Sequence, residues 1–160
     1  MIDPKIRKIL VLVHLYVAAF LAPAFILVAL SGGLYLLGNK GEFTSQPIPL
    51  PAATTLDFTS PTLEAEVRAL FLAHDIDEKF EYIKNRGTKI QTRPTSRSHI
   101  EFSQAPEGLI AVRKTPNLQA SLMELHKGHG PQLFKTYQKL VALGLMVVVL
   151  GGLVVGILAP

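Results

Sequence analysis

Two uncharged apolar runs bracket a polar middle. The first, ILVLVHLYVAAFLAPAFILVALSGGLYLL, spans Ile9 to Leu37, and the second, LVALGLMVVVLGGLVVGILAP, spans Leu140 to Pro160. Their 29 and 21 residues each meet the roughly 20 apolar residues that cross a bilayer core. The first run is about twice the 7–15 apolar residues of a signal peptide, so it predicts an uncleaved anchor. Pro23 sits mid-span and is expected to kink the helix or loosen a turn.

The second run carries Gly144, Val148, Gly152 and Gly156 every four residues on one face, and Gly152 and Gly156 form a GxxxG pair. Small residues in the first run, Ala18, Ala22, Ala29 and Gly33, fall at compatible spacing. This pattern predicts close helix–helix packing, either within one chain or in a homodimer.

Periodicity changes between the runs. QPIPLPAATTLDF is too rich in proline for regular helix and reads as a linker. SPTLEAEVRALFLAH then reads as an amphipathic helix, with Ser60 as N-cap, Pro61 at the first helical position, and Leu63, Val67, Leu70, Phe71 and His74 on one face. Four short alternating runs follow, marked by Phe80 and Tyr82, Ile90 and Thr92, Ile100 and Phe102, and Ile110 and Val112. Turn residues separate them at Asn85-Arg86-Gly87, Pro94 to Arg97, and Ala105 to Gly108.

The predicted unit is α+β, one helix on a four-stranded antiparallel sheet. Its other face, with Glu81, Lys89, Gln91, Arg93, His99, Glu101 and Arg113, is expected to be wet or to bind something polar. A second helix, Asn117 to His126, would turn Leu118, Leu122 and Leu125 to one side. The organisation is therefore residues 1–8 as an N-terminal segment, 9–38 as a membrane helix, 39–59 as linker, 60–116 as the α+β domain, 117–139 as helix and hinge, and 140–160 as the second membrane helix.

Charge sharpens this picture. From Asn39 to Leu133 eleven basic residues balance eleven acidic ones, so the formal charge of +4 sits beside the apolar runs, on Lys5, Arg7, Lys8, Lys135 and Lys139 against Asp3. That placement points to a lipid bilayer and away from nucleic acid. The chain has no cysteine, which excludes disulfides, Cys-ligated metal centres and thiol catalysis. It also lacks the GxSxG, HExxH and phosphate-loop motifs. The positive-inside count does not settle orientation, because the connecting segment exceeds about 60 residues.

The chain resembles the PepSY-associated transmembrane family. VHLYVAAFLAPAFILVALSGGLYLLGNKGE at the first helix, LMELHKGHGP ahead of the second, and FEYIKNRGTKIQTRPTSRSHIEF between them carry the resemblance. It implies a cytoplasmic N-terminus and a PepSY-like domain on the periplasmic side of a bacterial inner membrane. It also implies several roles: regulation or inhibition of peptidases in some members, and haem-containing iron or siderophore reductases among relatives with four or more spans. This chain has two.

The histidines carry the candidate chemistry. His14 lies inside the first apolar run, where an ionisable group is a functional hypothesis by default, and it matches the family's first-helix histidine. His126 and His129 lie in MELHKGHGPQ, just before the second run. These three are the candidate haem b ligands. From His14 to Gly38 the helix rises roughly 36 Å, so His14 and the hinge histidines would serve opposite membrane surfaces and join no single iron within one chain. The other reading of MELHKGHGPQ is a structural hinge. A zinc site would need three or four ligands, and only Glu124 is nearby. Asp75, Asp77 and Glu78 lack the spacing of a calcium loop, and Arg86, Lys89, Arg93 and Arg97 would form a basic patch for an anionic lipid or ligand. The expected role is a non-catalytic, membrane-anchored accessory protein that assembles with other membrane subunits or with itself. The alternatives are a haem b electron-transfer subunit and a peptidase regulator.

Overall fold

The computed structural model describes residues 3–106 and 108–157. The outermost residues of the first and last predicted segments, 1–2 and 158–160, lie outside this range, as does Glu107. The order of elements is α1 (Pro4–Leu36), β1 (Phe43–Ile48), α2 (Leu63–Ala73), β2 (Tyr82–Asn85), β3 (Lys89–Arg93), β4 (His99–Ala105), β5 (Gly108–Pro116), α3 (Leu118–His126) and α4 (Gln132–Ile157).

α1 and α4 are both long and apolar enough to cross a membrane. α1 starts at Asp3, whose side chain accepts from the Lys5 amide at 2.8 Å, with Pro4 at its first position, where proline's missing donor costs nothing. It runs on through Pro23. The two helices form an antiparallel hairpin. A Cβ built on Gly144 would fall 2.2 Å from Leu21 Cδ1, and one on Gly152 2.9 Å from His14 Cε1. Gly33 and Gly156 face open space, and Ala22 is half-buried. The close approach thus uses Gly144 and Gly152 against large residues of α1, rather than small residues against small.

Between the helices lies a five-stranded antiparallel sheet in the order β1-β5-β4-β3-β2. The fifth strand comes from the segment expected to be linker. β1, FTSQPI, has no apolar alternation and is almost wholly exposed. Its backbone pairs with β5, from Phe43 opposite Pro116 to Ile48 opposite Ala111. Pro47 is tolerated because β1 is an edge strand.

α2 covers one face of the sheet. Leu63, Val67 and Phe71 from the helix meet Ile90, Ile100, Phe102 and Ala111 from the strands, with Leu56 and Phe58 closing one side. Thr62 caps α2, two residues later than expected. Ser60 instead donates to Glu66 at 2.6 Å, and Thr62 donates to the same oxygen at 2.8 Å. Two strands also differ in parity from expectation. Ala111 pairs with Phe102 and is 2 % exposed, so Ile110 and Val112 point to the opposite face. Arg113, opposite Ile100, lies on the α2 side and pairs with Glu78 at 2.7 Å. In β2 it is Ile83 that joins the core, while Tyr82 faces away, opposite Arg93.

α3 is capped by Asn117, which accepts from the Ala120 amide at 2.9 Å. It buries Ala120, Met123 and Glu124 and leaves Leu118 78 % exposed, a face rotated from the leucine face expected.

Candidate functional site

β-Strand alternation makes the sheet face away from α2 polar. Gln91 and Arg93 of β3, His99 and Glu101 of β4 and Lys114 of β5 alternate with core residues and project there. α3 and the α3–α4 hinge close this side. The space between is a cleft of about 280 Å³, just below the roughly 300–1,000 Å³ typical of clefts for drug-sized ligands. Phe43, Arg86, Thr95, Glu124, Lys127 and His129 complete its wall.

The hinge is built by its glycines. α3 ends at His126, and Gly128 follows the C-cap Lys127 with φ +75°. The Gly128 amide donates to the Leu125 carbonyl at 2.9 Å, and the His129 amide to the Glu124 carbonyl at 2.9 Å. This is the Schellman arrangement, with glycine in the left-handed position where a Cβ is penalised. Gly130 is buried, and a Cβ there would lie 2.7 Å from Leu125 Cδ2. The glycines of MELHKGHGPQ therefore stop one helix and admit a tight turn into the next.

Glu124 is the centre of the site. It is 7 % exposed. Oε2 accepts from Thr95 Oγ1 at 2.5 Å and from His129 Nδ1 at 2.7 Å, and Oε1 pairs with Lys127 Nζ. Burial alone would raise its pKa. The hydrogen bonds from Lys127, Thr95 and His129 outweigh burial and hold it down at about 2. Thr95 in turn accepts from Arg93 Nη1 at 2.8 Å, and the Thr95 amide donates to the His129 carbonyl at 3.2 Å. A continuous polar chain thus runs from the sheet through Thr95 and Glu124 into the hinge.

The two histidines of the cleft are tied through Nδ1. His99 Nδ1 donates to the Arg97 carbonyl at 3.0 Å and His129 Nδ1 to Glu124. Burial lowers the pKa of both imidazoles, against those hydrogen bonds. At neutral pH each is a neutral ring with its hydrogen committed at Nδ1.

Arg93 forms the floor. It is 2 % exposed, and its Nε–H meets no acceptor among the described residues. Burial pushes the guanidinium's pKa down, against the fields of Tyr82 and Glu124. Of the basic residues expected to act together, Arg86 and Arg93 line the cleft. Lys89 instead pairs with Glu101 at 3.0 Å, and Arg97 donates to the Lys79 carbonyl at 3.1 Å.

No family model, curated protein or solved structure matches this chain.

The three histidines singled out in the sequence occupy three separate places. His14 packs closely against Gly152 of α4. His126 Nδ1 hydrogen-bonds to Ser31 Oγ of α1 at 2.8 Å, with Gly32 close to its ring. Only His129 reaches the cleft. One chain therefore does not bring two of them together as a pair of axial haem ligands. Among the described residues no three histidine or acidic side chains are placed to hold a metal ion. The sequence marks His99 only as one residue of the polar sheet face, and does not mark Thr95, Lys114 or Lys127 as part of a site. Their signal was their place on the polar face or beside the hinge, and only the fold brings them together.

Proposed function

We propose that this chain is a non-catalytic membrane accessory protein. Its extramembrane domain is fixed to a two-span helix hairpin, which assembles with further membrane subunits or a second copy. The observation that carries this reading is the bonding of Glu124. One carboxylate ties Thr95 of the β3–β4 connection, Lys127 of the α3 cap and His129 of the hinge into a single unit at the root of α4. Further bonds extend it: the Gln132 amide donates to Glu81 at 2.8 Å, Lys135 to the Tyr82 hydroxyl at 2.5 Å, and Gln138 to the Leu125 carbonyl at 2.6 Å. A carboxylate with both oxygens engaged and a pKa near 2 suits a fixed structural charge. General acid–base work at neutral pH favours a group whose pKa lies close to it.

Such a joint passes a load or a binding event from the domain to the membrane helices. The resemblance to PepSY-associated transmembrane proteins supports a periplasmic domain and a bacterial inner-membrane location. The experiment is native mass spectrometry of the full chain released from mild detergent after expression with ample haem. The expected result is an assembly heavier than one chain and without haem mass. A monomer would overturn the assembly. A haem adduct with a Soret band lost in His14→Ala would replace this reading with the electron-transfer one. A change in a co-expressed peptidase's activity would favour the regulator.

A further inference from the structure

We propose that the cleft between the open sheet face and α3 is a binding site for a phosphate-type oxyanion, with Arg93 at its floor and Arg86 and Lys114 at its rim. A phosphate has two accessible sources here, dissolved phosphate and the headgroup of an anionic lipid beside the root of α4.

The inference starts from unmatched charge. Arg93 is almost wholly buried, and no carboxylate among the described residues lies within ion-pair distance of it. A buried cation without a partner is costly, and natural sites pair it or coordinate it. The two carboxylates of the cleft are already taken. Glu124 holds Lys127, His129 and Thr95, and reaches Arg93 only through the Thr95 hydroxyl. Glu101 holds Lys89 at 3.0 Å and Gln91 at 2.8 Å. Arg86 and Lys114 have no carboxylate partner among the described residues either. Lys114 donates only to Ser45 Oγ at 2.8 Å.

The cleft therefore presents three cations against carboxylates that are spent on others. Arg93 Nη1 donates to Thr95 Oγ1 at 2.8 Å and Nη2 makes a long contact of 3.5 Å with Gln91 Oε1, and Nε–H is left without an acceptor among the described residues. The open guanidinium N–H of Arg93, with the Arg86 guanidinium and the Lys114 ammonium at the rim, matches the several acceptor oxygens of a phosphate, and such charge-assisted bonds are the strong ones. The size of the cleft suits a small anion rather than a cofactor. Its position supplies the second source of phosphate, because Lys127 and His129 immediately precede the helix that enters the membrane.

The test uses the full chain in nanodiscs. In discs of phosphatidylcholine alone, inorganic phosphate is titrated and followed by calorimetry. In discs containing phosphatidylglycerol, retention of that lipid is read by native mass spectrometry. Wild type is compared with Lys114→Gln and Arg86→Gln, which alter only the rim, with Arg93→Met, and with Lys84→Gln, an exposed lysine outside the cleft. Saturable phosphate binding, weakened about tenfold or more by Lys114→Gln and by Arg86→Gln and unchanged by Lys84→Gln, supports the site with dissolved phosphate as its ligand. Phosphatidylglycerol retention lost in the same rim variants, without phosphate binding, supports it with a lipid headgroup. Binding in neither arm overturns the proposal. So does binding weakened equally by Lys84→Gln, which would mark diffuse surface charge. Arg93→Met adds a test of the floor if it folds, and the rim variants decide the question if it does not. Anion binding and assembly with partners are separate properties read by separate experiments, so either can fail alone.

Discussion

Replacing Glu124 with glutamine keeps the side chain's size and removes its charge. Lys127 then loses its partner, His129 loses its carboxylate acceptor, and Thr95 keeps at most a neutral one. The magnitude follows from the carboxylate's proton affinity. Its pKa is held at about 2 against an ordinary 4.5. Each tenfold change in proton affinity is worth about 1.4 kcal/mol, so the interactions contribute on the order of 3 kcal/mol at neutral pH. Breaking one side of a buried ion pair costs about 3–5 kcal/mol by comparison. For an extramembrane domain of this size each kcal/mol moves the melting temperature by about 4–8 °C. Glu124→Gln should therefore melt about 10–20 °C lower at pH 7, measured by scanning calorimetry in mild detergent. The folded-state value lies below the unfolded one, so this stability is fully present above about pH 4.5 and is lost as the pH falls toward 2. The gap between the two proteins should shrink over that window. A drop of under about 3 °C at pH 7, or a gap unchanged between pH 7 and pH 3, would refute the reasoning.

Other outcomes follow from the same geometry. Gly41 has φ +74°, and a Cβ on it would lie 2.2 Å from the Ala120 amide nitrogen; Gly41→Ala should destabilise the seat of α3 by about 2 kcal/mol or more in the same melt. Gly144→Leu should spread the hairpin and Gly156→Leu should not, because Gly144 meets Leu21 of α1 and Gly156 faces open space; spin-label distances between Ile9→Cys and Ile157→Cys report this. Ser31→Ala removes the 2.8 Å bond to His126 and should cost about 1 kcal/mol, seen as faster amide exchange in α3. His99 and His129 have depressed pKa values in the fold, so the unfolded chain takes up protons first. Stability should begin to fall as the pH drops below about 6.5, and His99→Gln should flatten that first part of the curve.

Much of the fold is legible in the chain, for identifiable reasons. The apolar runs are long and uncharged, so two helices long and apolar enough to cross a membrane follow from length and composition. α2 has strong period and an early acidic turn, and its core face is Leu63, Val67 and Phe71 as the pattern predicts. β5 is harder. Leu109, Ile110, Ala111 and Val112 are all apolar, so alternation does not choose a parity. The pairing of Ala111 with Phe102 does, and it turns the larger Ile110 outward. β1 has no apolar alternation, because an exposed edge strand is held by backbone hydrogen bonds. The hinge was legible in MELHKGHGPQ, since glycine at a helix end is a local property. The cleft was only half so. Arg86 and Arg93 stood out as basic, but Thr95, Lys114 and Lys127 join them through strand register and the turn of α3, which no short stretch encodes.

The most direct test of the joint between domain and membrane is a distance across it. The chain contains no cysteine, so Ile110→Cys and Leu150→Cys, both at exposed positions, can each carry one spin label. Pulsed electron resonance in nanodiscs should return a single narrow distance distribution, which broadens when Glu124→Gln is added. A broad, multi-peaked distribution in the otherwise unaltered chain would contradict the account, because the domain would then swing freely on its hinge.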